Sequence, residues 1–346
     1  MSEPRSKAAR RADPASAVQP YRAWPALKAG DRVALFAPSS HQGQSPADTL
    51  PRAREILSGW GLVPDALAPE RRHLYLAGMD AERAEEFQRL YLDPEVRALF
   101  STRGGYGSAR MLPLLDRARI AAAPPKPVIG FSDVTALFAW LHWAAGIRVV
   151  HGPCLAAPSA LTSPEAGRNL VALRRLLFEP EPGPGYGVRL LHRPARPAPS
   201  PGGSSTDPIG ENSVTGRLVG GSLAVLVTSL GTPWAVDTEG AILFLEDTNE
   251  APYRIDRMLT HLRTAGRFDG LRAVVFGHLQ RCDGDPPGLL EEVLRDVFRD
   301  APFPVAMGLP AGHGDLNLPV PLGNLARLDF EGRAPIATAQ AHLQVL

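Results

Sequence analysis

The sequence predicts an α/β fold: an N-terminal parallel-sheet sandwich domain followed by a smaller, β-rich α/β C-terminal domain. Three observations lead there. Short apolar runs alternate with amphipathic segments from residue 32 to 150, the pattern of parallel strands covered by helices on both faces. A length of 346 residues suits about two domains, each able to bury a core. A Pro/Gly-rich stretch at 180–212 then separates these runs from a second set. The expected division is a disordered tail at 1–25, an N-terminal domain at 26–155, a helix with linker and loop at 156–212, and a C-terminal domain at 213–346.

In order, the tail is polar and Ala/Pro-containing, with Arg5, Lys7, Arg10 and Arg11 close together. No apolar signal-peptide core follows these basic residues. Residues 32–37 form a first buried strand, and Pro38-Ser39-Ser40 its C-terminal loop. A helix over 48–60 starts with Asp48 as N-cap, tolerates Pro51 in its first turn, and aligns Leu50, Ala53, Ile56 and Leu57 on one face. Gly59 and Gly61 end it. Residues 80–92 are a second helix, and 96–101 a strand leading into Arg103-Gly104-Gly105-Tyr106-Gly107. Helix resumes over 109–115. Val128-Ile129 is a strand broken by Gly130, and 136–141 is a helix that begins almost at once. Beyond Gly152-Pro153, residues 170–178 read as helix and the rest of 180–212 as linker and mobile loop. Residues 241–245 and 273–276 are buried strands, and Ile255, Met258, Leu259 and Leu262 make a helical face between them. There is no internal repeat.

Composition excludes several classes of function. With 44% hydrophobic and 21% charged residues the chain is ordinary for a soluble globular protein. Its 37 basic and 36 acidic residues leave a net charge of +1, so nothing points to nucleic acid or a membrane as partner. The longest apolar run, 134–150, is broken by His142 and Arg148 and is too short to span a bilayer. Cys154 and Cys282 imply neither a disulfide framework nor a zinc site, and a cytoplasmic location follows by default.

Chemistry centres on Ser132, on a tight turn from strand to helix at the C-terminal edge of the sheet, where open α/β sheets bind ligands. Such a turn raises the hydroxyl as a nucleophile elbow does, although Gly-Phe-Ser-Asp-Val lacks the closing glycine. The plainer alternative makes Ser132 or Asp133 an N-cap. A serine nucleophile needs a base, and the base an orienting acid. Of nine histidines, His151 ends a strand, His278 follows one, and His313 lies between Gly312 and Gly314, where the backbone can aim a ring into a cleft. All three stay open as bases. Glu246 ends an apolar strand, where a carboxylate must find a partner; a salt bridge or helix cap is the structural alternative. The Gly-rich turn at 103–107 is neither a Walker loop nor a dinucleotide fingerprint, and His313-x-Asp315 has no third metal ligand. Neither a cofactor nor a metal is expected.

Four segments share an order with a known family: Arg103-Gly104-Gly105-Tyr106-Gly107, the turn at Ser132-Asp133, Leu243-Phe244-Leu245-Glu246-Asp247, and Gly312-His313-Gly314-Asp315-Leu316-Asn317. Together they resemble the LD-carboxypeptidase family of serine peptidases, murein tetrapeptide carboxypeptidases and their microcin-immunity relatives. The resemblance runs from about Asp31 to Asp329 and is weaker near 180–212. It implies a flavodoxin-like N-terminal domain, a triad of Ser132, Glu246 and His313 spanning an interdomain cleft, and oxyanion donors at Asp133 and Gly105. Arg103, Gly104 and Ser222 become candidate substrate contacts, Ser222 standing where the family usually has asparagine. The implied substrate is a small peptide, the murein tetrapeptide, losing its terminal D-alanine in wall recycling. A homodimer follows from the resemblance alone. Two alternatives remain: an immunity hydrolase acting on an aminoacyl- or peptide-nucleotide conjugate, and a non-catalytic two-domain protein closing on a small ligand.

Overall fold

The computed structural model describes residues 19–41, 46–65, 71–194, 209–210, 212–330 and 339–346. Residues 1–18 of the expected tail and 195–208 of the expected loop lie outside them. The first half runs β1 (Arg32–Phe36), α1 (Pro46–Gly59), β2 (Val63–Pro64), α2 (Asp80–Leu92), β3 (Val96–Ser101) and α3 (Ser108–Met111). It continues with α4 (Arg117–Ala122), β4 (Val128–Gly130), α5 (Thr135–Ala145), β5 (Val149–His151), α6 (Pro158–Thr162) and α7 (Ala166–Phe178). The second half runs β6 (Gly185–His192), β7 (Ile209–Gly210), β8 (Ser213–Ser222), α8 (Leu223–Thr228), β9 (Ala241–Thr248) and α9 (Pro252–Thr264). It ends with β10 (Ala273–Gln280), α10 (Leu289–Val297), β11 (Val305–Met307), β12 (Val320–Leu322), β13 (Leu325–Phe330) and β14 (Gln340–Val345).

Two sheets result. The first has the order β12-β5-β4-β3-β1-β2, all parallel except β12 at the edge. Its strands are apolar on both faces because both are covered. Ala34, Leu99, Val128 and Val149 pack with Phe87 and Leu90 of α2 and Leu137 and Leu141 of α5. Val33, Ala98, Ile129 and Val150 pack on the other side with Ala53 and Leu57 of α1 and Leu173 and Leu177 of α7. The expected sandwich is therefore present. Helix α1 begins at Pro46, two residues before the expected cap Asp48.

The second sheet has the order β13-β14-β6-β11-β10-β9-β8-β7, and a further pairing of β13 with β8 closes it on itself. Strands β8, β9, β10 and β11 are parallel and the returning strands antiparallel. Alternation along β9 divides its side chains. Ile242 and Phe244 join the cluster that runs on into the first sheet's core, while Leu243 and Leu245 pack with Leu223 of α8 and Ile255 and Leu259 of α9. Burying each such side chain contributes about 1.5–3 kcal/mol.

Two sequence expectations are corrected here. Gly185–His192 is not linker but strand β6, seated between β14 and β11. Its alternating Tyr186, Val188 and Leu190 are buried, a pattern masked by the surrounding Pro and Gly. The chain also does not divide cleanly at 212. After the barrel strands it adds β12 to the edge of the first sheet, with Val320 opposite His151, then returns as β13. Among the described residues no helix is long and apolar enough to cross a membrane.

Candidate active site

Strand β4 stops at Gly130, and Ser132 adopts a left-handed φ of 62° before the chain enters a 3-10 turn and α5. A side chain in that region costs about 1–3 kcal/mol and is held only when its surroundings over-determine it. Asp133 does so. Its buried carboxylate accepts from Ser39 Oγ at 2.6 Å, Ser108 N at 2.8 Å and Ser108 Oγ at 2.6 Å. The elbow is thereby tied to the loop after β1 and to α3, just beyond the Gly-rich turn. The N-cap positions of the 3-10 turn and α5 are Phe131 and Val134, so neither Ser132 nor Asp133 is the N-cap of either.

Glu246 is fully buried near the end of β9, opposite Ser222 of β8. Burial alone would raise its pKa; the facing imidazoles of His151 and His313 outweigh that and hold it at about 2. With Glu246 ionised, His313 Nδ1–H donates to its Oε2 at 2.6 Å, and Nε2 accepts from Ser132 Oγ at 3.1 Å. Burial pushes the His313 imidazolium down, but the bond to Glu246 and its charge more than offset this, leaving the pKa raised. Next to it, Asp247 turns away to accept from the amides of Ala224 and Thr248, and burial pushes its pKa up to about 6.

The loop bearing His313 is braced from both sheets. Gly312 N donates to Asn317 Oδ1 at 2.9 Å, and Asn317 N to Asn169 Oδ1 of α7 at 2.9 Å. Asn169 Nδ2 donates to Asp315 O at 2.7 Å. His278 Nε2 lies 2.8 Å from Leu316 O, so this rival base is a support of the loop. Gly312 has φ 112°, and a Cβ there would stand 2.6 Å from Glu246 Oε2. His151 is buried on β5, with Nε2 3.5 Å from Glu246 Oε1, while the ring nitrogen that meets Ser132 Oγ is His313 Nε2.

The remaining candidates fall around this group. A Cβ on Gly104 would stand 2.8 Å from Ser132 Cβ, so the Gly-rich turn packs directly on the elbow. Gly105, at φ 110°, lies against Ser40, whose Oγ accepts from Tyr106 N at 3.2 Å. Arg103 Nη1 donates to His41 O at 3.0 Å, which ties it to the loop after β1. Ser222 adjoins Glu246, but it is only 4% exposed and its amide donates to Thr135 Oγ1 at 3.1 Å. Sequence reasoning missed Asn169 and Ser39. A polar residue within the apolar stripe of α7 was the available signal for Asn169; nothing local marked Ser39. Among the described residues no three His, Cys, Asp or Glu side chains could hold a metal ion together.

Residues 33–152 match the LD-carboxypeptidase N-terminal domain and residues 215–328 the LD-carboxypeptidase C-terminal domain. A putative carboxypeptidase of Synechocystis is 37% identical over 307 residues, covering 88% of this chain and 93% of that protein. A murein tetrapeptide carboxypeptidase of Pseudomonas aeruginosa is 32% identical over 308 residues, covering 86% and 93%. The apo structure of the microcin C7 self-immunity protein MccF superimposes with a TM-score of 0.76 at 26% identity, covering 93% of this chain and 98% of that one. Matches to both family domains, in order, and relatives above 30% identity along most of the chain mean that this protein belongs to the LD-carboxypeptidase family, with carboxypeptidase activity.

Proposed function

We propose that the protein is a serine carboxypeptidase that hydrolyses a peptide bond from an L-centre to a terminal D-residue, releasing D-alanine from the murein tetrapeptide. The observation that carries this is the unbroken relay from Glu246 through His313 to Ser132, with links of 2.6 and 3.1 Å. Ser132 Oγ attacks the scissile carbonyl as His313 Nε2 takes its proton. The oxyanion forms beside the amides of Asp133 and Gly105. The C–N bond breaks as His313 returns the proton to the leaving amine, and water repeats the sequence on the Ser132 ester. Glu246 orients the ring and stabilises its charged form. Arg103 is the proposed clamp for the substrate's terminal carboxylate, with Gly104 and Ser222 as further proposed contacts. Wall-peptide recycling in the cytoplasm is the proposed setting, from the murein tetrapeptide carboxypeptidase among the relatives.

A second reading has its own observation. Tyr75 and Tyr106 are 52% and 51% exposed, with rings 5.8 Å apart, beside the turn that packs on Ser132. An exposed aromatic pair suits a nucleobase, and a structure of MccF contains aspartyl sulfamoyl adenosine. Mass spectrometry of products from L,D- and D,D-terminated tetrapeptides and an aminoacyl-nucleotide conjugate separates these readings. Release of D-alanine from the L,D-tetrapeptide alone is expected. Cleavage of the conjugate alone favours the second reading, and equal rates on both diastereomers exclude the proposed stereochemistry.

A further inference from the structure

His151 is a buried imidazole to which the proton relay above gives no part. It ends β5, paired with Gly130 of the nucleophile's strand on one side and Val320 of β12 on the other. It is 0% exposed, and among the described residues neither of its ring nitrogens has a hydrogen-bond partner. Phe244 closes one side at 5.0 Å and 86°, and Phe131 another at 5.9 Å and 71°. Its Nε2 faces Glu246 Oε1 at 3.5 Å, and that oxygen likewise has no hydrogen-bond partner. A donor-capable nitrogen and an acceptor oxygen, both sealed from water, have each other to turn to, and a few tenths of an ångström closes the bond.

We propose that His151 is a positioning residue: its Nε2–H holds Oε1 of Glu246, which stops the carboxylate rotating and keeps Oε2 aimed at His313 Nδ1. Glu246 is then shared by two imidazoles, one structural and one reactive. Without a hold on Oε1, the terminal torsion of a glutamate is broad and twofold. With it, the plane of the acid is set by the first sheet, the same sheet that carries Ser132. The other nearby acids do not compete for His151. Asp133 is engaged by Ser39 and Ser108, and Asp247 by the amides of Ala224 and Thr248. His313 meets the opposite oxygen of Glu246.

This rests on the triad reading, and the test separates the two. Steady-state hydrolysis of the L,D-tetrapeptide is measured against pH for the parent, His151→Leu, His151→Gln and Ser132→Ala. His151→Leu is expected to lower kcat about 10- to 100-fold, as loss of an orienting partner does, with KM little changed. The acid limb of its kcat/KM profile should move to lower pH, because a loosened carboxylate supports the His313 imidazolium less. His151→Gln, which keeps an N–H at similar reach, should recover most of the rate and the limb. A packing role alone would lower the melting temperature without moving the limb. In the unmutated protein, nitrogen-15 shifts of labelled histidine should show His151 protonated at Nε2 and bare at Nδ1, a readout that does not need His151→Leu to fold. A kcat for His151→Leu within about twofold of the parent with an unmoved limb overturns the proposal. So does a His151 proton found on Nδ1 alone. Retained activity in Ser132→Ala would instead overturn the triad reading.

Discussion

Ser132 sits in a backbone conformation that serine rarely takes, with φ 62°, and Asp133 holds it there through Ser39 and Ser108. Replacing Ser132 by Ala changes one oxygen and leaves that brace intact. Turnover is expected to fall by about 10⁴-fold or more while the melting temperature stays near the parent's. Hydrolysis rates and a thermal melt on one preparation check this, and activity near the parent's would move the nucleophile elsewhere. The pH profile carries a second expectation. The proposed base, His313, acts only when neutral, and its pKa is raised from 6.5 because the hydrogen bond to Glu246 and that carboxylate's charge outweigh burial. A raised pKa keeps the ring protonated to higher pH, so the acid limb of kcat/KM should lie above 6.5. Glu246, held at about 2, stays ionised throughout that range.

At the level of elements, the loop between β11 and β12 carries the proposed base, His313, and its aim depends on contacts far apart in sequence. Gly312→Ala would put a Cβ at 2.6 Å from Glu246 Oε2 at a φ of 112°, two faults at once. Strain there costs about 1–3 kcal/mol, and relief requires either the carboxylate or the loop to move. Activity is expected to drop well beyond any change in melting temperature. Asn169→Ala removes the side chain that bonds both Asn317 N and Asp315 O, leaving buried groups unpaired at about 1–3 kcal/mol each. It should lower the melting temperature and reduce kcat more than it changes KM. Unchanged kcat would mean the loop holds its shape without α7.

For the whole molecule, the path of the chain makes the two sheets interdependent. Strand β6 precedes residue 213 yet lies inside the barrel, and β12 follows it yet lies in the first sheet. A fragment of residues 213–346 lacks the strand between β14 and β11, so its barrel cannot close. A fragment of residues 1–179 has an uncovered β5 edge where β12 would pair. Neither is expected to show a cooperative melt by circular dichroism when purified alone. A sharp transition in 213–346 would show that the barrel does not need β6.

Much of the N-terminal half was legible because its signals are local. Apolar strands buried on both faces, amphipathic helices and the abrupt turn at Gly130 express backbone and solvent preferences that neighbouring residues settle among themselves. The family was likewise readable, from the short segments that hold Ser132, Glu246 and His313. What remained open there was decided only by distance in three dimensions. Periodicity could not tell β6 from a linker, because its pairing partners lie at residues 305–307 and 340–345. Nor could it choose among His151, His278 and His313, since each stands at a strand end or in a loop. The fold chose, placing one ring on Ser132, one facing the second oxygen of Glu246 at 3.5 Å, and one on Leu316 O beneath the loop. A histidine's role follows from which atoms its two nitrogens can reach, and reach is a property of packing that no stretch of sequence contains.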